Sequence, residues 1–134
     1  MAKTNTFQCE VITPERAVLK CDATFAAFPA HDGEVGILTG RAPLVFKMGI
    51  GPLRVESAGE THVLFVDGGF AQVVGNRLTL LTQQAHKASD LDAAAAEQAM
   101  VEARAMKITD DASFTARSSA MQRARVQLKL AESC

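Results

Sequence analysis

A change in composition near Gln84 constrains the fold of this chain more than any other feature of its sequence. Up to about residue 84, short runs rich in β-branched and aromatic residues alternate with glycine, proline or asparagine turns. This is the pattern of an antiparallel sandwich or barrel. The run from Leu91 to Met106 is instead rich in alanine and lacks glycine and proline, which favours helix. The sequence therefore predicts an α+β chain in two parts, an N-terminal antiparallel β-sandwich (residues 1–84) and a C-terminal antiparallel two-helix hairpin (residues 85–134).

Six strands are the clearest in the first part: residues 7–12, 24–28, 53–56, 62–66, 70–74 and 77–82. The pairs Ala58-Gly59, Gly68-Gly69 and Gly75-Asn76 separate neighbouring runs, where residues that tolerate positive φ reverse the chain tightly. Consecutive strands are therefore expected to form hairpins. The side chains expected to fill the interior are Phe25, Val63, Phe65, Phe70, Leu78 and Leu80.

The second part reads as two helices joined by a short connection. Ser89, with Asp92 three residues later, predicts the start of the first helix. Acidic residues in the run 109–111 are expected to cap a second helix that ends near Ala131. One narrow apolar stripe is predicted on that helix, made of Phe114, Met121, Ala124 and Leu128. Because alanine contacts bury little area, the hairpin is expected to be only marginally stable and able to detach.

Charge and hydropathy exclude several classes of partner. The chain has 14 basic and 15 acidic residues, so its net charge attracts neither nucleic acid nor an anionic membrane. No apolar run approaches the roughly 18 residues that span a bilayer. The three cysteines are odd in number and scattered, which indicates reduced thiols.

No pattern in the sequence predicts catalysis. His31, His62 and His86 fall in different segments and lack metal-ligand spacing with a cysteine pair. Gly49-Ile50-Gly51 is followed by proline and lacks the lysine of a phosphate loop. We therefore expect no catalytic residue, no metal and no cofactor.

The segment 28–44 contains glycines and prolines that must turn the backbone repeatedly. It is expected to be an exposed, rigidly shaped loop that presents Asp32, Glu34 and Arg41 to solvent. Taken alone, such charges fit a solvated loop without any partner.

The same segment resembles a known family. The run 33–38, Gly-Glu-Val-Gly-Ile-Leu, followed by Gly40, Ala42, Pro43 and Leu44, is similar to the epsilon subunit of F-type ATP synthases. The run 65–73 and the pair Leu91-Asp92 match further motifs of that family at its spacing, so the resemblance covers nearly the whole chain. It implies a rotor subunit of the central stalk, not an enzyme. Its sandwich would contact the gamma subunit and the membrane c-ring.

The resemblance also implies a location and a regulatory role. The chain would lie on the cytoplasmic face of the bacterial inner membrane, as a peripheral subunit that meets the membrane only through the c-ring. Its C-terminal helices would bind the alpha and beta catalytic subunits and inhibit ATP hydrolysis.

Site residues follow from the family motifs. Glu34 would face the c-ring, with His31, Asp32 and Arg41 helping to seat the rotor, although relatives often carry histidine at the position of Arg41. Inhibition would involve the cations of the second helix, which are Arg117, Arg123, Arg125 and Lys129. The residues themselves allow another interpretation, in which these cations complement the helix dipole and keep the helix soluble.

Some epsilon subunits bind ATP through a Leu-Asp-x-x-Arg-Ala motif at the start of the first helix. This chain has Leu91 and Asp92 but alanine at position 95, so the guanidinium expected there is missing. Asp92, Arg123 and Arg125 remain as candidates for a nucleotide site that we expect to be poor.

Two other classes of protein compete with this interpretation. The first is a free-standing β-sandwich adaptor whose helical hairpin binds an unrelated protein. The second is a small hydrolase that uses one cysteine and one histidine. Co-purification distinguishes them, because only a rotor subunit would bring down alpha, beta and gamma chains.

Overall fold

The structure is a computed structural model that describes residues 6–30, 33–37 and 43–132. The chain divides into two compact units, Met1–His86 and Lys87–Cys134. The first consists of β-strands and the second of helices. The predicted fold class, a β-sandwich followed by a two-helix hairpin, is confirmed.

The described part of the first unit contains strands that form two five-stranded sheets. Their bounds are β1 Phe7–Ile12, β2 Ala17–Ala23, β3 Phe25–Ala30, β4 Gly33–Ile37, β5 Leu44–Lys47, β6 Ile50–Ser57, β7 Glu60–Asp67, β8 Phe70–Val74, β9 Arg77–Leu81 and β10 Ala85–Lys87. Sheet A has the order β2-β1-β9-β8-β5 and sheet B the order β10-β7-β6-β3-β4. The pair β1–β9 is parallel, and the other pairs with a described register are antiparallel.

The core lies between the two sheets and is built by alternation along each strand. In β1, Phe7, Cys9 and Val11 are buried while Gln8 is exposed, because successive side chains point to opposite faces. The other large, fully buried members of the core cluster are Phe28, Ile37, Leu53, Val55, Leu64, Val66, Leu78 and Leu80. Leu78 and Leu80 were predicted to lie there.

Other predicted core residues lie elsewhere. Phe70 is 54% exposed, because Ala71 and Val73 take the inward positions of β8. Phe25 and Val63 are only half-buried. Phe65 is fully buried but outside the core cluster, and its ring stacks on His86 with centroids 6.4 Å apart.

Part of the segment predicted as an exposed loop is a strand. β4 pairs with β3, and Val35 lies opposite Phe28, so core contacts hold a glycine-rich run in extended form. A Cβ on Gly36 would lie 3.1 Å from the ring of Phe25. The glycine therefore lets that ring lie close against the strand.

The described part of the helical unit contains a 3-10 turn, Ala88–Asp90, and two α-helices, α1 Ala93–Ala105 and α2 Asp111–Glu132. The predicted start at Ser89 is wrong, because Asp92 is the N-cap and accepts the N–H of Ala94 at 3.0 Å. A carboxylate in this position satisfies an N–H that has no partner within the helix.

Alanine is the commonest buried residue of α1 and α2. Their buried residues are Ala96, Met100, Ala103, Ala124 and Leu130. The predicted stripe is wrong at Phe114, which is 55% exposed, while Met121 and Leu128 are half-buried. Phe114 is seven residues from Met121, so the two lie on one side of the helix, but Phe114 is near the start of α2, where most side chains are exposed.

Candidate interaction surfaces

The outer face of sheet A carries an exposed apolar surface, which we call the apolar face. Its large members are Val45 (65% exposed), Phe70, Val74 and Leu81. The register aligns Lys47 with Phe70, Phe70 with Leu81 and Leu81 with Ile12. An apolar row thus crosses β8, β9 and β1. Exposed apolar surface of this kind makes the face a candidate for protein contact.

A groove lies at one end of this row and has a volume of about 370 Å³. It is lined by Ile12, Thr13, Pro14, Gly69, Phe70, Leu81, Thr82 and Gln83. Pro14 belongs to the turn after β1. A hydrogen bond from the N–H of Thr13 to the carbonyl of Arg16, at 2.9 Å, closes this turn. The groove can accept an apolar side chain from a partner.

Two local features hold the groove in shape. The hydroxyl of Thr82 accepts the N–H of Asp67 and donates to the carbonyl of Gln84, each at 3.1 Å. The backbone of Gly69 passes so near β9 that a Cβ there would lie 1.8 Å from the carbonyl oxygen of Leu81. Both features fix the chain just before Phe70 against the end of β9.

The apolar face was missed from the sequence. The run Phe70-Ala71-Gln72-Val73-Val74 has apolar residues on both faces of the strand, and the largest was assigned to the core. No local signal decides between the faces, because Phe70 and Val74 lie on one face of the strand, Ala71 and Val73 lie on the other, and both faces are apolar.

Glu34 lies on β4 at the edge of sheet B, exposed and opposite Pro29. It lines a second groove, of about 330 Å³, together with Ala30, Gly33, Val35, Val45, Phe46 and Lys47. Val45 belongs to both this groove and the apolar face, so the two surfaces are continuous. His31, Asp32 and Arg41, predicted to act with Glu34, lie outside the described residues.

The four cations of α2 have different environments. Arg117 donates from Nη2 to the carbonyl of Arg104, in the last turn of α1, at 3.5 Å. Arg123 is half-buried and lines a groove with Glu102. Arg125 and Lys129 are exposed and four residues apart, so they lie on one face of the helix. That pair is the part of the predicted set presented to solvent.

The residues considered for a nucleotide site are only partly available. Leu91 is half-buried, and the carboxylate of Asp92 already accepts a hydrogen bond from the backbone N–H of Ala94, in the first turn of α1. Ala95 is exposed and offers no donor to a phosphate. The described residues contain no group of three or more His, Cys, Asp or Glu side chains placed to hold a metal.

Asp110, at the start of α2, has a carboxyl whose pKa is lowered. The backbone N–H of Ser113 donates to Asp110 Oδ1 at 2.8 Å. This hydrogen bond is the main cause that lowers the pKa of the Asp110 carboxyl, and a hydrogen bond with the hydroxyl of Ser113 is the second. The ionised acid therefore stabilises the beginning of the helix.

The sequence matches a known family. Residues 6–88 match the profile described as the β-sandwich domain of the ATP synthase delta/epsilon chain. The ATP synthase epsilon chain of Rhodopirellula baltica is 38% identical over 122 residues, which are 91% of this chain and 95% of that relative. The epsilon chain of a Synechococcus species is 36% identical over 93% of this chain and 85% of its own length.

Solved structures share the fold. A chain in the cryo-EM structure of the Euglena gracilis mitochondrial ATP synthase OSCP/F1/c-ring has a TM-score of 0.82, with 22% identity, over 98% of this chain and 84% of that chain. A chain of the Tetrahymena thermophila mitochondrial ATP synthase central stalk and c-ring has a TM-score of 0.68, with 14% identity, over 97% and 99% of the two chains. No helix in the part of the chain described is long and apolar enough to cross a membrane.

Proposed function

This chain belongs to the ATP synthase delta/epsilon family, and we propose that as its epsilon subunit it couples rotation between the catalytic head and the membrane c-ring. The observation that carries the mechanical part of this proposal is the apolar face. A subunit that transmits torque without catalysing a reaction needs a large, rigid contact with its neighbours, and the sandwich offers one.

The gamma subunit is the proposed partner of the apolar face. Phe70, Leu81 and Ile12 form a row that water solvates poorly, and burying this row against a partner favours association through the hydrophobic effect. The groove beside Pro14 would accept an apolar anchor of gamma, as central pockets do in stable interfaces.

The c-ring is the proposed partner of the surface around Glu34. Its carboxylate is exposed at the edge of sheet B, beside Val45 and Lys47, and can pair with a cation or a polar group on the ring. His31, Asp32 and Arg41 are near it in sequence and are proposed to help seat the rotor. The chain would then lie peripherally, on the cytoplasmic face of the bacterial inner membrane, and meet that membrane only through the ring.

The helical unit is proposed to restrain ATP hydrolysis by docking on acidic surfaces of the alpha and beta subunits. Arg125 and Lys129 are exposed and can make the first contact. Arg117 and Arg123 contribute only when α2 leaves α1, because Arg117 is engaged with Arg104 and Arg123 lies beside Glu102. Because alanine side chains bury little apolar area, separating α2 from α1 costs little free energy.

ATP is a poor candidate ligand for this helical unit. Position 95 lacks the guanidinium of the family motif, and the carboxylate of Asp92 is already engaged by the backbone N–H of Ala94. Arg123 and Arg125 are the remaining donors. Inhibition by this chain is therefore proposed to depend on charge more than on ATP.

Binding to purified gamma subunit tests the mechanical proposal. The Phe70→Ser/Leu81→Ser double variant should keep a cooperative unfolding transition but lose most of its affinity for gamma. Val101→Ser is the matched control, because Val101 is 58% exposed but lies on α1. Equal gamma binding by the double variant and the wild type would contradict the proposal, and failure of the wild type to bind would favour the adaptor interpretation.

A further inference from the structure

Two cysteines lie directly opposite each other on neighbouring strands of sheet A. In the antiparallel register of β1 and β2, Cys9 is the partner of Cys21. Cys9 is fully buried in the core cluster, and the half-buried Cys21 packs against that cluster, so both thiols lie on the inner face. We propose that this pair is a site of reversible oxidation, where a disulfide oxidant such as oxidised glutathione generates an intrachain Cys9–Cys21 disulfide.

The backbone hydrogen bonds identify the type of strand pair. The N–H of Gln8 donates to the carbonyl of Asn76 at 3.1 Å, and the carbonyl of Ile12 accepts the N–H of Thr82 at 3.0 Å. Even-numbered residues of β1 therefore direct their backbone groups toward β9. Odd-numbered residues direct theirs toward β2, so Cys9 and Cys21 form a hydrogen-bonded pair.

This geometry permits a disulfide but strains it. The Cα atoms of a hydrogen-bonded pair are about 5.5 Å apart, within the roughly 4.4–6.8 Å that a disulfide spans. Directly opposite Cβ atoms lie about 4.5–5.5 Å apart, and hydrogen-bonded pairs are at the wider end. A disulfide needs about 3.8 Å, so the strands must move closer.

The fold allows that movement. β2 is the edge strand of sheet A, so it has a hydrogen-bonded neighbour on one side only. The β1–β2 register shifts between Val11 and Ile12, and an irregularity of this kind bends and twists a strand locally. A disulfide closed against residual strain is more easily reduced than a relaxed one, which makes the oxidation reversible.

The two thiols have different parts in the reaction. Burial raises the pKa of Cys9 to about 12. Burial also raises the pKa of Cys21, although a hydrogen bond with Ser57 opposes the shift. Cys21 is half-buried and can meet the oxidant, whereas Cys9 is fully buried. Cys21 is therefore the attacking thiol, and Cys9 resolves the intermediate in a slow reaction.

The exchange is balanced in two steps. The Cys21 thiolate attacks one sulfur of oxidised glutathione, the glutathione disulfide breaks, and one glutathione leaves and takes up the Cys21 proton. The Cys9 thiolate then attacks the Cys21 sulfur, and the second glutathione leaves and takes up the Cys9 proton. Two electrons pass from the protein thiols to the oxidant, which becomes two reduced glutathiones.

Mass spectrometry of the full chain tests the proposal, independently of the subunit's role in a complex. Cys134→Ser removes the third thiol. Oxidised glutathione should lower the mass of this variant by about 2 Da, the two hydrogens lost on closing a disulfide, without adding glutathione. Adding Cys9→Ala should stop the reaction at a Cys21–glutathione adduct, about 305 Da heavier. Adding Cys21→Ala instead should leave the chain unmodified.

Two outcomes would overturn the proposal. The first is a Cys134→Ser chain that keeps glutathione on Cys21 while Cys9 stays free. The second is a chain whose thiols both remain reduced under conditions that oxidise them in the urea-unfolded chain. Reduced glutathione is also expected to reopen the disulfide. A disulfide that resists this reduction would contradict the inference that it is strained.

Discussion

Replacing Gly69 by alanine should destabilise the sandwich far more than replacing its neighbour Gly68. Both residues have positive φ, +69° for Gly68 and +101° for Gly69. At Gly68 the nearest atom to an added Cβ is the Met48 carbonyl oxygen at 3.9 Å, an ordinary contact. At Gly69 it would lie 1.8 Å from the Leu81 carbonyl oxygen and 2.8 Å from Thr82 Cα.

The magnitudes follow from these contacts. A left-handed conformation costs alanine about 1–2 kcal/mol, and we expect that loss at Gly68. At Gly69 the backbones of β8 and β9 must also separate, which breaks the contact between Phe70 and Leu81. We expect a loss of more than about 4 kcal/mol, in the range of the most damaging substitutions, against a typical stability of about 5–15 kcal/mol.

Urea unfolding followed by circular dichroism measures both variants against the wild type. Gly68→Ala should shift the midpoint modestly with an unchanged slope, whereas Gly69→Ala should unfold at low urea or lose cooperativity. Similar midpoints for the two variants would refute the reasoning, because the large expected difference rests on steric contact of the new Cβ with β9. Gly69→Ala should also distort the groove beside Phe70 and weaken gamma binding.

Three further predictions concern charged groups. Glu34→Lys should leave unfolding of the isolated chain unchanged and weaken its assembly with the c-ring, and unchanged coupled proton pumping would count against this. Replacing Arg125 and Lys129 by alanine should reduce the inhibition of ATP hydrolysis in the reconstituted complex, and undiminished inhibition by this variant would contradict the electrostatic proposal. Inhibition by the wild type should also fall as salt rises, because exposed charges are screened over about 10 Å at 0.1 M. Because the pKa of Asp110 is lowered from 3.8, its contribution is present above that pH and is lost as pH falls through the folded-state pKa. Helix content measured by circular dichroism should therefore decrease below pH 3.8 in the wild type and change less in Asp110→Ala.

Local chemistry made several elements predictable from the sequence. The turn pairs Ala58-Gly59 and Gly75-Asn76 have positive φ, as tight hairpins require. The alanine-rich run forms α1, and an acid at position 110 caps α2 through Ser113. Each of these signals lies within a few neighbouring residues.

Features that depend on distant contacts were not predictable in the same way. β4 carries two glycines and is a strand because Val35 and Ile37 face Phe28 and Ala26 across the register. The exposure of Phe70 depends on which face of β8 meets the core, and a run with apolar residues on both faces leaves that choice open. The engagement of Arg117 with the carbonyl of Arg104 joins two helices and leaves no mark on the sequence around either residue.

Truncation tests the central claim, that a stalk-binding sandwich carries a separable inhibitory hairpin. The cut should follow Ala88, because β10 ends at Lys87 and belongs to sheet B. Complexes reconstituted with the full chain, with residues 1–88, or with neither are compared for coupled proton pumping and for ATP hydrolysis. We expect residues 1–88 to unfold cooperatively, bind gamma and support pumping as the full chain does, while hydrolysis rises toward its uninhibited rate. A folded residues 1–88 fragment that fails to bind gamma, or that inhibits hydrolysis as strongly as the full chain, would contradict the account.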